Sequence, residues 1–261
     1  SLITILSIVE FFGLSREYKI IALVLGITIP EAILQSASTQ NDIVVSFFIL
    51  AALFFALKTY RGAPLKNFIF IGLCTGLALL TKGTAYLFVP PVILLFGIFV
   101  SIQLFKSRNY ACLWHSAIAV ALVLCLNSGH YLRNYKLTHN ILGVDKAESA
   151  LYANQKMSAG LLLSNLVKNA GLHMAVMYAR PVARFSDTCI YRLHAIAGIP
   201  VNNPATNYLN LKYSTGTFIT DEDGAANPFH FLLITVALVL TGINFLRGRR
   251  NVIAGCLISV L

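Results

Sequence analysis

Asp42 closes a polar string, Ser38-Thr39-Gln40-Asn41-Asp42, set between two long apolar runs. A carboxylate at such a rim, beside low-dielectric surroundings, is placed to take a proton from a hydroxyl or amine as a general base. The same spacing fits a plainer task, because Asn41 or Asp42 would cap a helix starting near Ile43 and meet its free N–H groups and dipole. The two roles are compatible, and spacing alone leaves both open. Lys82 follows Thr81 at the end of a second apolar run, and Arg133-Asn134 follows His130 at the end of a third. Cations there suit a phosphate, or else they snorkel at helix ends.

Asp221-Glu222-Asp223 is the acidic cluster of the chain, and it precedes Asn227-Pro228-Phe229-His230. Asn as N-cap with Pro at the first helical position signals a helix start, and a helix N-terminus attracts anions. Glu222, Asp223 and His230 are therefore candidate substrate-binding residues, against the bland reading of a solvated acidic turn. No cofactor is called for, although a divalent metal stays open at this cluster. His115, His139, His173 and His194 show no metal-ligand spacing, and the five cysteines form neither a CxxC pair nor a disulfide framework. Glu31 follows Pro30 inside an apolar run, where an ionisable group is expected to line a cavity in a kinked helix. Pro90-Pro91 is expected to mark a further kink.

The elements that must position these residues are membrane helices. The 261 residues are 57% hydrophobic and 11% charged, with a mean hydropathy of +0.74, against about 25% charged residues in soluble domains. A water-soluble protein is excluded. The net charge of +10 is spread in small clusters between apolar runs, which is a topology signal and not a nucleic-acid footprint. Runs able to cross a bilayer core, at 1.5 Å per residue across about 30 Å, occur at 20–36, 43–57, 67–81, 84–105, 110–132 and 229–246.

Arg16 and Lys19, then Lys58, Arg61 and Lys66, then Lys106 and Arg108, then Arg247, Arg249 and Arg250 fall in every second connection. The positive-inside rule makes that set cytoplasmic and turns Asp42, Lys82 and a long loop, 133–227, outward. Within the loop, 158–180 reads as an amphipathic helix, with Asn165, Asn169 and His173 opposite Leu162, Leu166, Ala170 and Met174, lying on the membrane surface or packing on the spans. A second short helix is expected from Ser186 to about Gly198. The domains are thus 1–132, the first part of a bundle; 133–227, an extracytoplasmic loop with amphipathic helices; and 228–261, further spans. Both ends read as cut within apolar runs, and the alternation calls for one earlier helix and one earlier outward loop.

The passage Pro30 to Leu57, with Gln35-Ser36 and Thr39-Gln40-Asn41-Asp42 opening a Phe-rich span, is followed by Gly72-Leu73-Cys74-Thr75-Gly76-Leu77-Ala78-Leu79-Leu80-Thr81-Lys82-Gly83. This order resembles the membrane glycosyltransferases of the GT-C class that use polyprenyl-phosphate sugars. That class includes protein O-mannosyltransferases and the aminoarabinose transferase of lipid A. His130-Tyr131-Leu132-Arg133-Asn134 and Glu222-Asp223-Gly224-Ala225-Ala226-Asn227-Pro228-Phe229-His230 resemble elements of its Rgt-like bacterial subgroup.

The resemblance implies an all-α integral membrane protein, a GT-C-type bundle with a long, partly helical extracytoplasmic loop. It implies an inverting hexosyl- or pentosyltransferase that moves a sugar from a lipid-linked donor to a cell-envelope acceptor, in the bacterial inner membrane with its site facing the periplasm or exterior. Its partners are then the lipid-linked donor, membrane lipids and an envelope acceptor, with no nucleic acid. Asp42 matches the second acidic position of the family, a catalytic-site carboxylate that supports or orients substrate, while the family's usual base belongs to an earlier loop. Lys82, Arg133 and Asn134 would contact the donor phosphate, and Glu222, Asp223 and His230 would border the same cavity. A multi-spanning transporter is the rival reading of the spans, although it lacks the internal repeats such proteins show.

Overall fold

The computed structural model describes residues 1–143, 154, 156–175, 179–204, 206–207, 211–216 and 226–247. They form ten helices and no strand among the described residues: α1 (Leu2–Phe11), α2 (Arg16–Ile27), α3 (Pro30–Ser36), α4 (Asp42–Arg61), α5 (Leu65–Thr81), α6 (Ala85–Phe105), α7 (Ala111–Thr138), α8 (Ala159–Leu172), α9 (Arg180–Ala197) and α10 (Pro228–Leu246). The protein is an all-helical integral membrane protein. Three helices, α4, α6 and α7, are long and apolar enough to cross a membrane, and α1, α5 and α10 are apolar but shorter. The chain divides into two compact units, 1–133 with the chain from 236 onward, and 134–235.

In the first unit, α4 carries an acid in its first turn, Asp42, and bases in its last, Lys58 and Arg61, matching the helix dipole at both ends. Three-residue connections follow α4 and α5, so successive helices run antiparallel, and α4 packs against both α5 and α6. Their shared core sets the small residues Ala51, Ala52 and Ala56 of α4 against Phe68, Ile71 and Cys74 of α5 and Val92 and Phe96 of α6. Lipid is as apolar as leucine, so close van der Waals packing has to hold such a bundle together. Gly72 and Gly76 of α5 show how close it is: a Cβ on Gly72 would stand 2.7 Å from Ala119 O and 2.9 Å from Ala119 Cα of α7. One turn on, the buried Asn127 of α7 donates from Nδ2 to Gly76 O at 3.0 Å. At the opposite end, Gln103 donates to Tyr60 O at 2.9 Å, Arg61 donates to Phe11 O, and Lys19 meets Glu10 at 3.7 Å. The basic residues Arg16, Lys19, Arg61, Lys66 and Lys106 thus gather at helix ends away from Asp42.

The run 20–36 is not one continuous helix. It forms α2 and α3, bent by 64° at a short break. Pro30 has no N–H to give and pushes Ile29 into an extended conformation, φ −66° and ψ 115°, which ends α2 before it. Glu31 consequently sits in the first turn of a seven-residue helix, where it is exposed and accepts a hydrogen bond from Gln35 Nε2 at 3.3 Å, rather than lining a buried cavity. Pro90-Pro91, by contrast, lies inside one continuous helix, α6. The run 110–132 is longer than its apolar residues, since α7 reaches Thr138 and carries Arg133 and Asn134 on its last turns.

In the second unit, the helix expected over 158–180 is shorter. Ser158 Oγ accepts from Leu161 N at 3.2 Å and starts α8, which ends at Leu172. The next helix begins at Arg180, with Pro181 in its first turn, and ends at Gly198, whose φ of +67° is a left-handed C-cap that glycine adopts freely. The buried face of α8 is polar, made of Ser164, Lys168 and Gly171, while Leu162, Leu163 and Leu166 are exposed. Gly171 lets α8 approach closely, because a Cβ there would displace the side-chain ends of Ile190 of α9 and of Tyr213. Asp187 of α9 accepts from Thr215 N at 2.6 Å and Ser214 Oγ at 3.1 Å, pinning the segment 211–216 to the helix pair.

Candidate active site

Asp42 is the first residue of α4, and Asn41 is its N-cap, yet neither side chain makes a capping hydrogen bond. The carboxylate goes elsewhere: its Oδ2 accepts from Lys82 Nζ at 2.6 Å. Lys82 is the C-cap of α5, where the backbone turns extended at φ −155° and ψ 139° and releases the side chain from the helix. The pair stands on an apolar floor of Val45, Ala78, Ala85 and Val89, one turn further into the three helices. Its side chains are 29% and 33% exposed, so the pair is held in place and still open to a ligand. An ammonium has three N–H groups, so Lys82 keeps two for a second partner while holding Asp42.

Other polar groups mark the same end of the bundle. Tyr86, in the first turn of α6, donates its hydroxyl to Tyr131 of α7 at 2.9 Å. One residue before Tyr131, the ring of His130 has its Nδ1 3.3 Å from Arg133 Nη2. Arg133 is exposed on the last turns of α7 within the first unit.

The remaining candidates fall in the second unit or outside the described residues. Asn134 donates from Nδ2 to Ile141 O at 3.2 Å and packs under Gly143, so its amide closes a turn. His230 is buried, at 9% exposure, in the first turn of α10, which starts at Pro228 after Asn227 as the sequence signals. Glu222 and Asp223 lie outside the described residues, as does Asp221. No three His, Cys, Asp or Glu side chains come together as a metal site among the described residues.

Residues 1–129 match the family described as dolichyl-phosphate-mannose-protein mannosyltransferase. These residues belong to a GT-C-type glycosyltransferase family. The matched stretch contains α1 to α6 and most of α7, and with them both Asp42 and Lys82, and it ends just before His130. No curated protein and no solved structure matches the chain.

One polar centre, in the second unit, is not legible as such in the sequence. Lys168 is buried on α8 and donates to Asn207 Oδ1 at 2.7 Å, and burial lowers its pKa from the usual lysine value. Tyr213, whose hydroxyl donates to Lys168 O at 3.2 Å, has its pKa raised, chiefly by burial and further by the nearby charge of Asp187. The only local signal is that Asn165, Lys168 and Asn169 recur at helical spacing, a pattern that an exposed polar stripe would produce equally well.

Proposed function

We propose that this glycosyltransferase moves a sugar from a polyprenyl-phosphate carrier to a cell-envelope acceptor, on the non-cytoplasmic face of the membrane. The observation that carries this reading is the Asp42–Lys82 pair, 2.6 Å apart and a third exposed at one end of the bundle. It offers an acceptor-orienting carboxylate beside a cation with two N–H groups to spare.

The reaction is an inverting displacement. A carboxylate removes the proton from an acceptor hydroxyl or amine, and the freed electron pair forms a bond to the anomeric carbon from the face opposite the carrier. The bond from that carbon to the carrier oxygen breaks, and the lipid phosphate departs with the electron pair. Asp42 orients the acceptor for this step, and Lys82 stabilises the negative charge growing on the leaving phosphate, with Arg133 as a further cation. Donors aimed at the charge that develops in the transition state give the largest single contributions in such sites.

The test is transfer of radiolabelled sugar from a purified polyprenyl-phosphate sugar to envelope extract by the full-length protein. Asp42→Asn and Lys82→Met, both folded, are expected to lose transfer. Undiminished transfer by both variants, or counterflow of substrate in proteoliposomes without transfer, overturns the reading.

A further inference from the structure

Lys168 is a buried cation with no counter-ion among the described residues. It is 6% exposed, its one hydrogen-bond partner is Asn207 Oδ1 at 2.7 Å, and no carboxylate lies within ion-pair distance of it among the described residues. Removing an ion from water costs several kcal/mol unless an opposite charge meets it, so an arrangement of this kind is stable only if something supplies that charge or function requires the cost. The nearby acid, Asp187, does not supply it, because it lies beyond ion-pair distance and instead accepts from Thr215 N and Ser214 Oγ.

The amine also faces a space. Lys168 forms one wall of a pocket of about 440 Å³ with Asn165, Asn169, Asn207, Lys212 and Ser214, within the range of about 300–1,000 Å³ of small-molecule sites. Lys212 is exposed and brings a second positive charge, and Asn169 is exposed on the turn beside Lys168. Asn207 is held rigid, its Nδ2 donating to Leu211 O at 2.8 Å and Asn202 Oδ1 at 3.3 Å. Tyr213 fastens the other edge to Lys168 O. The polar part of the wall is therefore amides and hydroxyls around two cations, and Leu172 and Leu211 complete the lining.

We propose that this pocket binds an oxyanion, a carboxylate or phosphate, carried by a polyhydroxy compound such as an acidic or phosphorylated saccharide. Lys168 is the counter-ion at the base of the site, Lys212 the second cation at its mouth, and the asparagine amides hydrogen-bond the hydroxyl groups. The binding site lies wholly within the second unit, and its existence does not depend on the transfer reaction.

The experiment is calorimetric titration of the purified full-length protein in detergent with glucuronate, glucose 6-phosphate and uncharged glucose. At least one of the charged sugars is expected to saturate a single site, and which of them binds tighter assigns the carboxylate or the phosphate. Losing a buried charge partner typically costs 2–5 kcal/mol or more, so Lys168→Met should weaken that binding by about thirtyfold or more. Thermal unfolding of Lys168→Met without ligand should be unchanged or at higher temperature, since an unpaired buried charge has been removed. Asn169→Ala and Lys212→Ala, both at exposed positions, serve as variants that do not test folding, and each should weaken binding several-fold. Glucose binding as tightly as the charged sugars, no saturation by either charged sugar, or wild-type affinity in all three variants would overturn the proposal.

Discussion

Lys82 Nζ donates to Asp42 Oδ2 at 2.6 Å, joining the end of α5 to the start of α4 across 40 residues of sequence. The two side chains are still about a third exposed, so the contact contributes little to stability, and exposed pairs typically measure about 0.2–1 kcal/mol. Its value is positional. A double-mutant cycle of Asp42→Asn and Lys82→Met should therefore show a coupling in unfolding of no more than about 1 kcal/mol, while each single variant loses about 100-fold or more in transfer rate. Equal losses of stability and activity would mean that the pair is structural.

The basic residues Lys58, Arg61, Lys66, Lys106 and Arg108 lie at the ends of α4, α5 and α6 opposite to Asp42 and Lys82. By the positive-inside rule, a cysteine at Gly83 should be labelled by an impermeant maleimide added to intact cells, and a cysteine at Ser107 only after permeabilisation. Both positions are exposed, and Gly83 has nothing within 4 Å of a new side chain. Labelling with the opposite pattern would reverse the topology and remove the site from the outer face.

Gly72 offers the sharpest test of how α5 and α7 are held. Its added Cβ would meet backbone, Ala119 O at 2.7 Å, and backbone cannot swing aside. Gly72→Val should destabilise the protein by about 1–3 kcal/mol, the usual cost of overpacking. Gly97→Val on α6 meets nothing within 4 Å and should leave unfolding in detergent nearly unchanged. Similar unfolding of the two variants would contradict the close approach.

Asp187 holds Thr215 N at 2.6 Å and Ser214 Oγ at 3.1 Å. Hydrogen bonds to a charged group contribute about 1.5–3 kcal/mol each, so Asp187→Ala should loosen the 211–216 segment, leaving Tyr191 Oη to Tyr213 O and Thr215 Oγ1 to Ser186 Oγ as its remaining ties to α9. Amide exchange at Thr215 is expected to rise sharply in the variant, and the charged-sugar site at Lys168 and Lys212 should weaken with it. Unchanged exchange at Thr215 would show that other contacts hold the segment.

Much of this architecture is written locally. Apolar run length and the order of charged clusters announce an all-helical membrane protein, and Ser158, Gly198 and Asn227-Pro228 announce helix boundaries that the structure bears out, because caps act within about a turn of the residues that make them. Pro30 announces a disturbance as well, although only the backbone shows that it is a 64° break. The pairing of Asp42 with Lys82 and the burial of Lys168 are of a different kind. Each depends on which helices become neighbours and in what register, and that is decided by packing of small residues far along the chain, Ala52, Gly72 and Ala119 for the first and Gly171 for the second. A string of Thr81-Lys82 or Asn165-Lys168-Asn169 looks the same whether its lysine reaches solvent, a carboxylate or a closed pocket. The sequence by itself determined that polar groups sit at helix ends and along helix faces in a membrane protein. Only the tertiary structure decided which of them meet, because that choice is made by steric fit between elements and not by any periodicity within one.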